Sequence, residues 1–317
     1  MKKICIVAGE PNSINSEIII KSWNKINKSI KKNIFIIGNA SLLTAQFKKL
    51  NIKIKITKIN NINFFNSSKK LCVFNIPLNF KNPYLINKKQ NSKFVLECLN
   101  VAHKLSMHNK IHGFINCSID KKIFNNRYKG VTEFLAKKNK TKIENMLIYN
   151  EKVSVSPITT HIKVANISKT LNKKMIVKKI NSLSLNYFKV FKKKPSIAVL
   201  GLNPHNSELR DLSEENKIII PSIKYLKQKK INIFGPFSAD TIFLKKNIFK
   251  YDVIVGMYHD QVLAPFKALY NLNAINITFG LNYLRVSPDH GTAVDLIGKN
   301  SANPQSLIKS IKFLNDH

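Results

Sequence analysis

The sequence predicts an α/β fold with mostly parallel sheets and flanking helices. Short apolar segments alternate with amphipathic helical segments almost throughout the 317 residues, and this rhythm is typical of βαβ units. Hydrophobic residues make up 44% of the chain, which is enough for a sizeable core. No repeat, coiled-coil pattern or Pro/Gly/Ser-rich linker divides the chain, so we expect residues 1–317 to form one unit.

The strands are predicted at short apolar runs that polar or turn-forming residues bound. In chain order they cover residues 4–8, 34–37, 71–74, 113–116, 146–149, 153–156, 197–200, 231–234, 253–256 and 274–278. The helices are predicted where apolar residues recur every three to four positions. They cover residues 16–26, 42–50, 94–106, 132–137, 167–191, 214–228, 239–245, 261–269 and 304–314. The fifth and sixth strands are too close for a crossover helix and predict a hairpin.

The charge of the chain is extreme. Lys and Arg number 53 against 17 Asp and Glu, which gives a formal charge of +36, as in many nucleic-acid-binding proteins. The lysines are nevertheless spread over the whole chain, and Ile and Asn, which share A/T-rich codons with Lys, are abundant too. Compositional drift explains all three biases, so we expect weak, salt-sensitive binding to polyanions and no specific nucleic-acid partner.

The cysteines are widely scattered and include no CxxC pair. A zinc ribbon or a disulfide framework is therefore not expected, and all four are predicted to be reduced, with Cys5 and Cys72 in core strands. No apolar run approaches the ~18–20 residues that cross a bilayer. We expect a cytoplasmic protein without a membrane partner.

Two common nucleotide-binding motifs are absent. The loop after the first strand, residues 9–15, reads GEPNSIN rather than GxGxxG, and GxxxxGK[ST] does not occur. Neither a Rossmann dinucleotide site nor a P-loop is supported.

Three histidines follow apolar strands at similar positions. They are His161, His205 and His259, and polar residues of α/β proteins act mostly where strands end. Three imidazoles with an open position suit a catalytic divalent metal such as Zn²⁺, which polarises a substrate oxygen. The three histidines are too far apart in the sequence for their spacing to identify a metal site, so the alternative of three ordinary loop histidines stays open.

A second group of polar residues follows His259. Lys267 lies in a helical segment, Asn276 in a strand, and Arg285 precedes the segment DHGTA at 289–293. Cations near a metal suit an anionic substrate that carries phosphate or carboxylate. Solvated surface cations are the alternative, although Asn276 and Arg285 each lie beside an apolar run.

Seven segments together resemble a known family. They are GEP at 9–11, GVTEF at 130–134, TTH at 159–161, GLNPH at 201–205, GPFSADT at 235–241, MYHDQ at 257–261 and DHGTA at 289–293. In this order they resemble the 4-hydroxythreonine-4-phosphate dehydrogenases of vitamin B6 biosynthesis. The resemblance runs from residue 4 to about residue 300, and GLNPH, MYHDQ and DHGTA are specific as a set.

The resemblance implies an isocitrate/isopropylmalate dehydrogenase-like fold with the active site in an interdomain cleft. Two interleaved subdomains are implied, about 1–115 plus 280–317 and about 116–279. This fold binds NAD or NADP without the Rossmann glycines. The resemblance also implies a homodimer with shared active sites and a divalent metal, which is zinc, magnesium or cobalt.

The reaction that the resemblance implies is NAD-dependent oxidation of 4-phosphohydroxy-L-threonine to 2-amino-3-oxo-4-phosphooxybutanoate. Decarboxylation then gives 3-amino-2-oxopropyl phosphate. Two alternatives stay open at this point: a metal-dependent dehydrogenase of another phosphorylated hydroxy acid, and a basic binding protein that has lost catalysis.

The resemblance also implies roles for individual residues of this chain, assigned position by position from the matching motifs. The implied metal ligands are His161, His205 and His259, some of them from the partner chain, and the implied substrate ligands are Thr132, Lys267, Asn276 and Arg285. The catalytic group is not identified; its candidates are Lys267 and Asp240. The candidates for cofactor binding are Asp289, His290 and Gly291.

The chain departs from the family pattern at several loops. Val131 replaces the histidine of the family's GHTEF, which helps to hold the substrate. Ser13 and Asn15 replace glycines of the first loop, and a TGPVHK-like segment has become NCSIDK at 116–121. These departures put the strength of substrate binding in question.

Overall fold

The computed structural model describes residues 3–65, 70–125, 127–141, 143–271 and 273–317. The chain forms two compact units, one of Met1–Leu135 with Asn282–His317 and one of Ala136–Leu281. Within the described residues, no helix combines the length and the apolar character that crossing a bilayer requires. None of the four cysteines forms a disulfide bond, as predicted, and all four are buried, including Cys5 and Cys72 in their core strands.

The strands are β1 (Ile4–Val7), β2 (Ile34–Gly38), β3 (Ile56–Ile59), β4 (Leu71–Asn75), β5 (Gly113–Asn116), β6 (Asn145–Tyr149), β7 (Ser154–Thr159), β8 (Ile197–Leu200), β9 (Ile233–Phe237), β10 (Val253–Tyr258), β11 (Ile275–Phe279) and β12 (Leu284–Pro288). The α-helices are α1 (Asn15–Lys25), α2 (Lys28–Lys31), α3 (Ala40–Lys49), α4 (Lys88–Met107), α5 (Val131–Lys138), α6 (Ile167–Thr170), α7 (Lys173–Phe191), α8 (Ile220–Gln228), α9 (Ala239–Ile242), α10 (Lys245–Ile248), α11 (His259–Tyr270) and α12 (Gln305–Asp316).

The strands of the first unit pair in the order β3-β4-β2-β1-β5-β12, and every described pair is parallel. Helix α4 packs on β1, β2 and β5, and α12 packs on β5 and β12. All four residues of β1 are buried and apolar. When helices cover both faces of a strand, all of its side chains are buried, so its sequence is a continuous apolar run.

The strands of the second unit pair in the order β11-β6-β7-β10-β8-β9. Strand β6 runs antiparallel to β11 and to β7, so the predicted hairpin is confirmed, and the other pairs are parallel. Helix α11 packs on β7 and β10. The core contains Leu200, Ile254 and Phe266, which are fully buried.

The predicted mostly parallel α/β architecture is confirmed, but two strands were missed. Strand β3 is partly exposed and carries Lys58 at the edge of its sheet, so it lacks the apolar run of a buried strand. Strand β12 contains a buried arginine and ends at Pro288, and both features argue against a strand when only the sequence is considered.

Glu10 follows β1 and is only 4% exposed. Its carboxylate accepts hydrogen bonds from the Asn91 side chain and the Asn12 backbone. Burial is the main cause that raises the pKa of Glu10 above its ordinary value of 4.5. The folded state therefore binds this proton more tightly than the unfolded chain, and the resulting stabilisation, complete at low pH, is lost as the pH rises through the raised pKa.

The Glu10→Gln variant imitates the protonated carboxyl group. At a pH near the ordinary pKa of glutamate, we expect the variant and the wild type to have the same Tm. At about pH 8, where the wild type must hold a buried charge, we expect the variant to have the higher Tm. Glu97→Gln, on the exposed side of α4, is the control and should show no such pH dependence. A Tm for Glu10→Gln that does not exceed the wild-type value at about pH 8 would contradict this assignment.

Candidate active site

The topology of the second unit brings the histidine-bearing loops to one sheet edge. Strand β10 lies between β7 and β8, and all three run parallel, so their carboxyl ends lie at the same edge. His161 follows β7 by two residues, His259 directly follows β10, and His205 lies in the turn after β8. Two of the rings come together: the centroids of His161 and His259 are 6.2 Å apart.

Two buried side chains tie these strand ends together. Thr159 Oγ1 donates a hydrogen bond of 2.7 Å to the Met257 carbonyl oxygen, which joins β7 to β10. Gln261 accepts from the Met257 N–H at 2.7 Å and donates to the Gly201 carbonyl oxygen at 2.7 Å, which joins β10 to the end of β8. Sequence reasoning missed the role of Gln261, although the residue lies within the MYHDQ segment.

Gly256 makes room for this connection. A Cβ at this position would lie 2.6 Å from Val262 Cγ1 and 2.9 Å from Gln261 Oε1, closer than packed atoms approach. The glycine is therefore required by the approach of α11 to β10, where His259 begins the helix.

His205 occupies an unusual backbone conformation. Its φ of 50° and ψ of 26° place it in the left-handed region. The four residues that follow, up to Leu209, also have a positive φ. This conformation costs non-glycine residues energy and is often found in functional loops. The preceding loop is fixed by Glu215, which is fully buried and accepts from the Leu202 and Asn203 N–H groups, both at 2.8 Å. The His205 side chain itself is exposed.

The tautomer of His259 is set by its neighbour. His259 Nδ1 lies 2.6 Å from Asp260 Oδ1, and because an ionised carboxylate only accepts, Nδ1 carries the proton. Nε2 is then the ring nitrogen that remains for a ligand, and a carboxylate behind a histidine is the usual orienting partner in metal sites.

The three histidines are the candidate ligands of a metal ion. The donor chemistry fits a divalent ion, because neutral imidazoles are common ligands and His259 is oriented for it. Among the residues that the structure describes, however, no group of three His, Cys, Asp or Glu side chains is close enough to hold an ion. One chain thus gathers two of the three predicted histidines.

A second polar group lies in the first unit, around Arg285 of β12. Arg285 is only 3% exposed. Its Nε donates to Asn116 Oδ1 at 2.6 Å and its Nη1 to Thr132 Oγ1 at 3.4 Å. Burial lowers the pKa of Arg285 from its ordinary value to about 10, an effect that Tyr283 and Glu133 oppose. The guanidinium remains charged at neutral pH, so the fold holds a buried cation.

The structure places two further predicted substrate ligands in the second unit. Lys267 is exposed on α11. Asn276 lies in β11, and its Oδ1 is buried without a hydrogen-bond partner among the described residues. Such an amide oxygen is the kind of atom that a bound ligand satisfies. Asp240, the other catalytic candidate, is exposed in the first turn of α9.

The predicted cofactor-binding residues follow β12. His290 Nδ1 lies 2.9 Å from the Gly291 carbonyl oxygen, so Nδ1 carries a proton, and burial lowers the pKa of His290 below 6.5. Its Nε2 is buried and has no partner within the described part of the chain. A Cβ on Gly291 would meet nothing within 4 Å. Open space at Gly291 therefore adjoins His290, whose Nε2 is an acceptor without a hydrogen bond to any residue that the structure describes.

The α/β fold is of the isocitrate dehydrogenase type. An isocitrate dehydrogenase from Methylococcus capsulatus has this fold, with a TM-score of 0.51 at 12% identity; the match covers 100% of this chain and 86% of that one. A 4-hydroxythreonine-4-phosphate dehydrogenase from Klebsiella pneumoniae is much more similar. Its TM-score is 0.87 at 30% identity, and the match covers 100% of this chain and 99% of that one.

The chain belongs to the family described as "Pyridoxal phosphate biosynthetic protein PdxA", whose model matches residues 30–314. A relative from Aquifex aeolicus (strain VF5), named 4-hydroxythreonine-4-phosphate dehydrogenase, is 36% identical over 99% of this chain and 98% of its own length. A relative from Pectobacterium atrosepticum, named D-threonate 4-phosphate dehydrogenase, is 34% identical over 72% of this chain and 71% of its own length. The family resemblance of the sequence motifs is thereby confirmed.

Proposed function

We propose that this chain is an NAD-dependent 4-hydroxythreonine-4-phosphate dehydrogenase of pyridoxal phosphate biosynthesis. The enzyme oxidises 4-phosphohydroxy-L-threonine to 2-amino-3-oxo-4-phosphooxybutanoate, which loses CO₂ to give 3-amino-2-oxopropyl phosphate. The observation that carries the proposal is the buried, charged guanidinium of Arg285 beside Thr132, in a chain that matches a relative of this name over 99% of its length. A buried cation is suited to an anionic substrate.

The metal ligands in this proposal are His161, His205 and His259. The ion is zinc, magnesium or cobalt, and when bound it polarises the oxygen of the substrate hydroxyl. We infer that the chain acts as a homodimer with shared active sites, in which a second copy contributes to the set of metal ligands. Asp260 holds the His259 ring with its Nε2 available.

NAD, with NADP as the other candidate, would be the cofactor and would supply the acceptor for the hydride from C3 of the substrate. We assign its binding to Asp289, His290 and Gly291. The unsatisfied Nε2 of His290 accepts a hydrogen bond from the cofactor, and the open space beside Gly291 lets the ligand approach the backbone.

The remaining residues bind the substrate and move protons. Arg285 and Thr132 hold its anionic groups, and Asn276 receives a hydrogen bond on its buried Oδ1. Lys267 and Asp240 are the candidates for the group that takes the proton of the C3 hydroxyl, because both side chains are ionisable and exposed.

A second candidate substrate follows from the relative named D-threonate 4-phosphate dehydrogenase. D-threonate 4-phosphate shares the phosphate, the C3 hydroxyl and the carboxylate with 4-phosphohydroxy-L-threonine, but carries a hydroxyl instead of an amino group at C2. The groups that Arg285, Thr132 and the metal contact are common to both compounds. Specificity therefore depends on what surrounds C2.

The test is reduction of NAD by the purified protein with each compound, after removal of metal and after addition of Zn²⁺, Mg²⁺ or Co²⁺ in turn. We expect metal-dependent turnover and a higher kcat/KM for 4-phosphohydroxy-L-threonine. A higher value for D-threonate 4-phosphate would assign the second function. Turnover of neither compound with any ion would overturn the proposal and favour a binding protein that has lost catalysis.

Val131 offers a gain-of-function test. It is the first residue of α5, is only partly exposed, and precedes Thr132. A hydrogen bond to a charged group contributes about 1.5–3 kcal/mol. Val131→His is therefore expected to raise kcat/KM for the phosphorylated substrate roughly 10- to 100-fold and to leave the KM for NAD unchanged.

Val131→Leu is the matched control for this change, because it alters the shape but adds no donor. It should not raise kcat/KM. If Val131→His also leaves kcat/KM at or below the wild-type value, then Val131 does not occupy the position of the family's histidine, and the role of Thr132 as a substrate ligand loses its support.

A further inference from the structure

Asn116 ends β5 beside Arg285 of β12, and the two strands are parallel neighbours with Arg285 in register with Phe114. Residues 114 and 116 point to the same face of the sheet because strand side chains alternate. The Asn116 side chain is therefore next to that of Arg285. It is 3% exposed, and its Oδ1 accepts the Arg285 Nε–H at 2.6 Å.

Both ends of the Asn116 amide are engaged. Its Nδ2 donates to the Cys117 carbonyl oxygen at 3.2 Å, which directs Oδ1 towards the guanidinium. Because the Nε–H is held, the plane of the guanidinium is fixed, and its Nη1 meets Thr132 Oγ1. The five donors of a guanidinium lie in one rigid plane, so fixing one of them orients the others.

The uncharged nature of Asn116 matters as much as its position. An aspartate here would accept the same hydrogen bond but would also neutralise the cation. Asparagine orients the guanidinium without adding a negative charge beside it.

The composition of the chain points to the same residue. Of its 53 basic residues only three are arginines, at positions 127, 210 and 285. The other two are exposed, and Arg285 alone is buried. The chain uses lysine at nearly every other basic position, whereas the buried position 285 carries arginine, whose planar guanidinium has a partner for its Nε–H there.

We propose that Asn116 is a positioning residue for substrate binding: its amide oxygen fixes the Arg285 guanidinium in the orientation that binds the phosphate or carboxylate of the substrate, and its lack of charge preserves the attraction. The proposal rests on the proposed function for the identity of the ligand. The contact itself is a property of this chain, and it includes a residue to which no role has been assigned so far.

The first experiment observes the contact without any substrate. In protein labelled with [¹⁵N]arginine, three Nε–H signals are expected, and Arg285→Lys identifies the one from Arg285 by its loss. We expect this signal to exchange slowly with solvent in the wild type and in Asn116→Asp, and to exchange at least roughly tenfold faster in Asn116→Ala. Equal exchange in the wild type and Asn116→Ala would overturn the positioning role, whether or not the protein is a dehydrogenase.

The second experiment measures KM for 4-phosphohydroxy-L-threonine and the Tm of Asn116→Asp. We expect KM to rise roughly tenfold or more, the KM for NAD to stay unchanged, and the Tm to be equal or higher, because the new carboxylate pairs with the buried cation. Asn150→Asp, a buried asparagine of the second unit, is the matched control and should leave the substrate KM unchanged.

The outcomes separate the two proposals. A purely structural asparagine predicts that the substrate KM of Asn116→Asp stays at the wild-type value, and this result would overturn the inference. A wild-type protein that turns over no phosphorylated substrate would overturn the proposed function instead, while the exchange of the Arg285 Nε–H would still decide the role of Asn116.

Discussion

Replacement of His259 by alanine is expected to lower both metal affinity and NAD turnover by at least roughly 10- to 100-fold, while the fold survives. Changes to groups behind a metal ligand already cost that much, and loss of the ligand itself costs at least as much. The expected survival of the fold follows from the partial exposure of the His259 side chain, which is 33% accessible. The measurements are metal content after dialysis, kcat with added Zn²⁺, and Tm.

His108→Ala is the matched control for this experiment, because His108 is exposed at the end of α4 and far in sequence from the histidine loops. It should keep its metal and its activity. Asp260→Ala should show an intermediate loss, since the carboxylate orients the His259 ring. Full activity of a metal-free His259→Ala protein would refute the metal site.

Replacement of Arg285 by lysine is expected to lower kcat/KM for the phosphorylated substrate roughly 100-fold or more. Lysine keeps the charge but loses the planar fork, and each hydrogen bond between charged groups contributes about 1.5–3 kcal/mol. Lysine is the residue that this chain carries at nearly every other basic position, so the change tests whether charge alone suffices. The KM for NAD should stay within about twofold.

Arg210→Lys is the control for this substitution. Arg210 is exposed and pairs with Glu208 at 2.9 Å, a surface contact that contributes little. It should leave every kinetic constant unchanged. If Arg285→Lys retains the wild-type kcat/KM, the buried guanidinium is not the group that recognises the substrate anion.

The histidines show how far sequence motifs could lead. His161, His205 and His259 could be selected because each follows an apolar strand and lies in a recognisable segment. Their separations in the sequence did not reveal that β10 lies between β7 and β8, or that the rings of His161 and His259 lie 6.2 Å apart. Strand order depends on the packing of all the strands and helices, and no local pattern encodes it.

The supporting residues were harder to predict than the ligands. Gln261 lies within a recognised motif, yet its two hydrogen bonds reach Met257 and Gly201, and the second is 60 residues away. Asn116 was noted only as a departure from a family segment, and its contact with Arg285 spans 169 residues. A polar side chain carries no local signal of a partner that only folding brings near.

The sequence by itself determined the alternation of strands and helices, the reduced state of the cysteines and the family, because these follow from periodicity, spacing and motifs that neighbouring residues define. The tertiary structure alone decided that β12 is a strand, that Arg285 is buried in it, and that Asn116 and Thr132 hold its guanidinium. The physical reason is the cost of burying a charge: it is offset only by hydrogen bonds from residues distant in the chain, and the folded sheet supplies them.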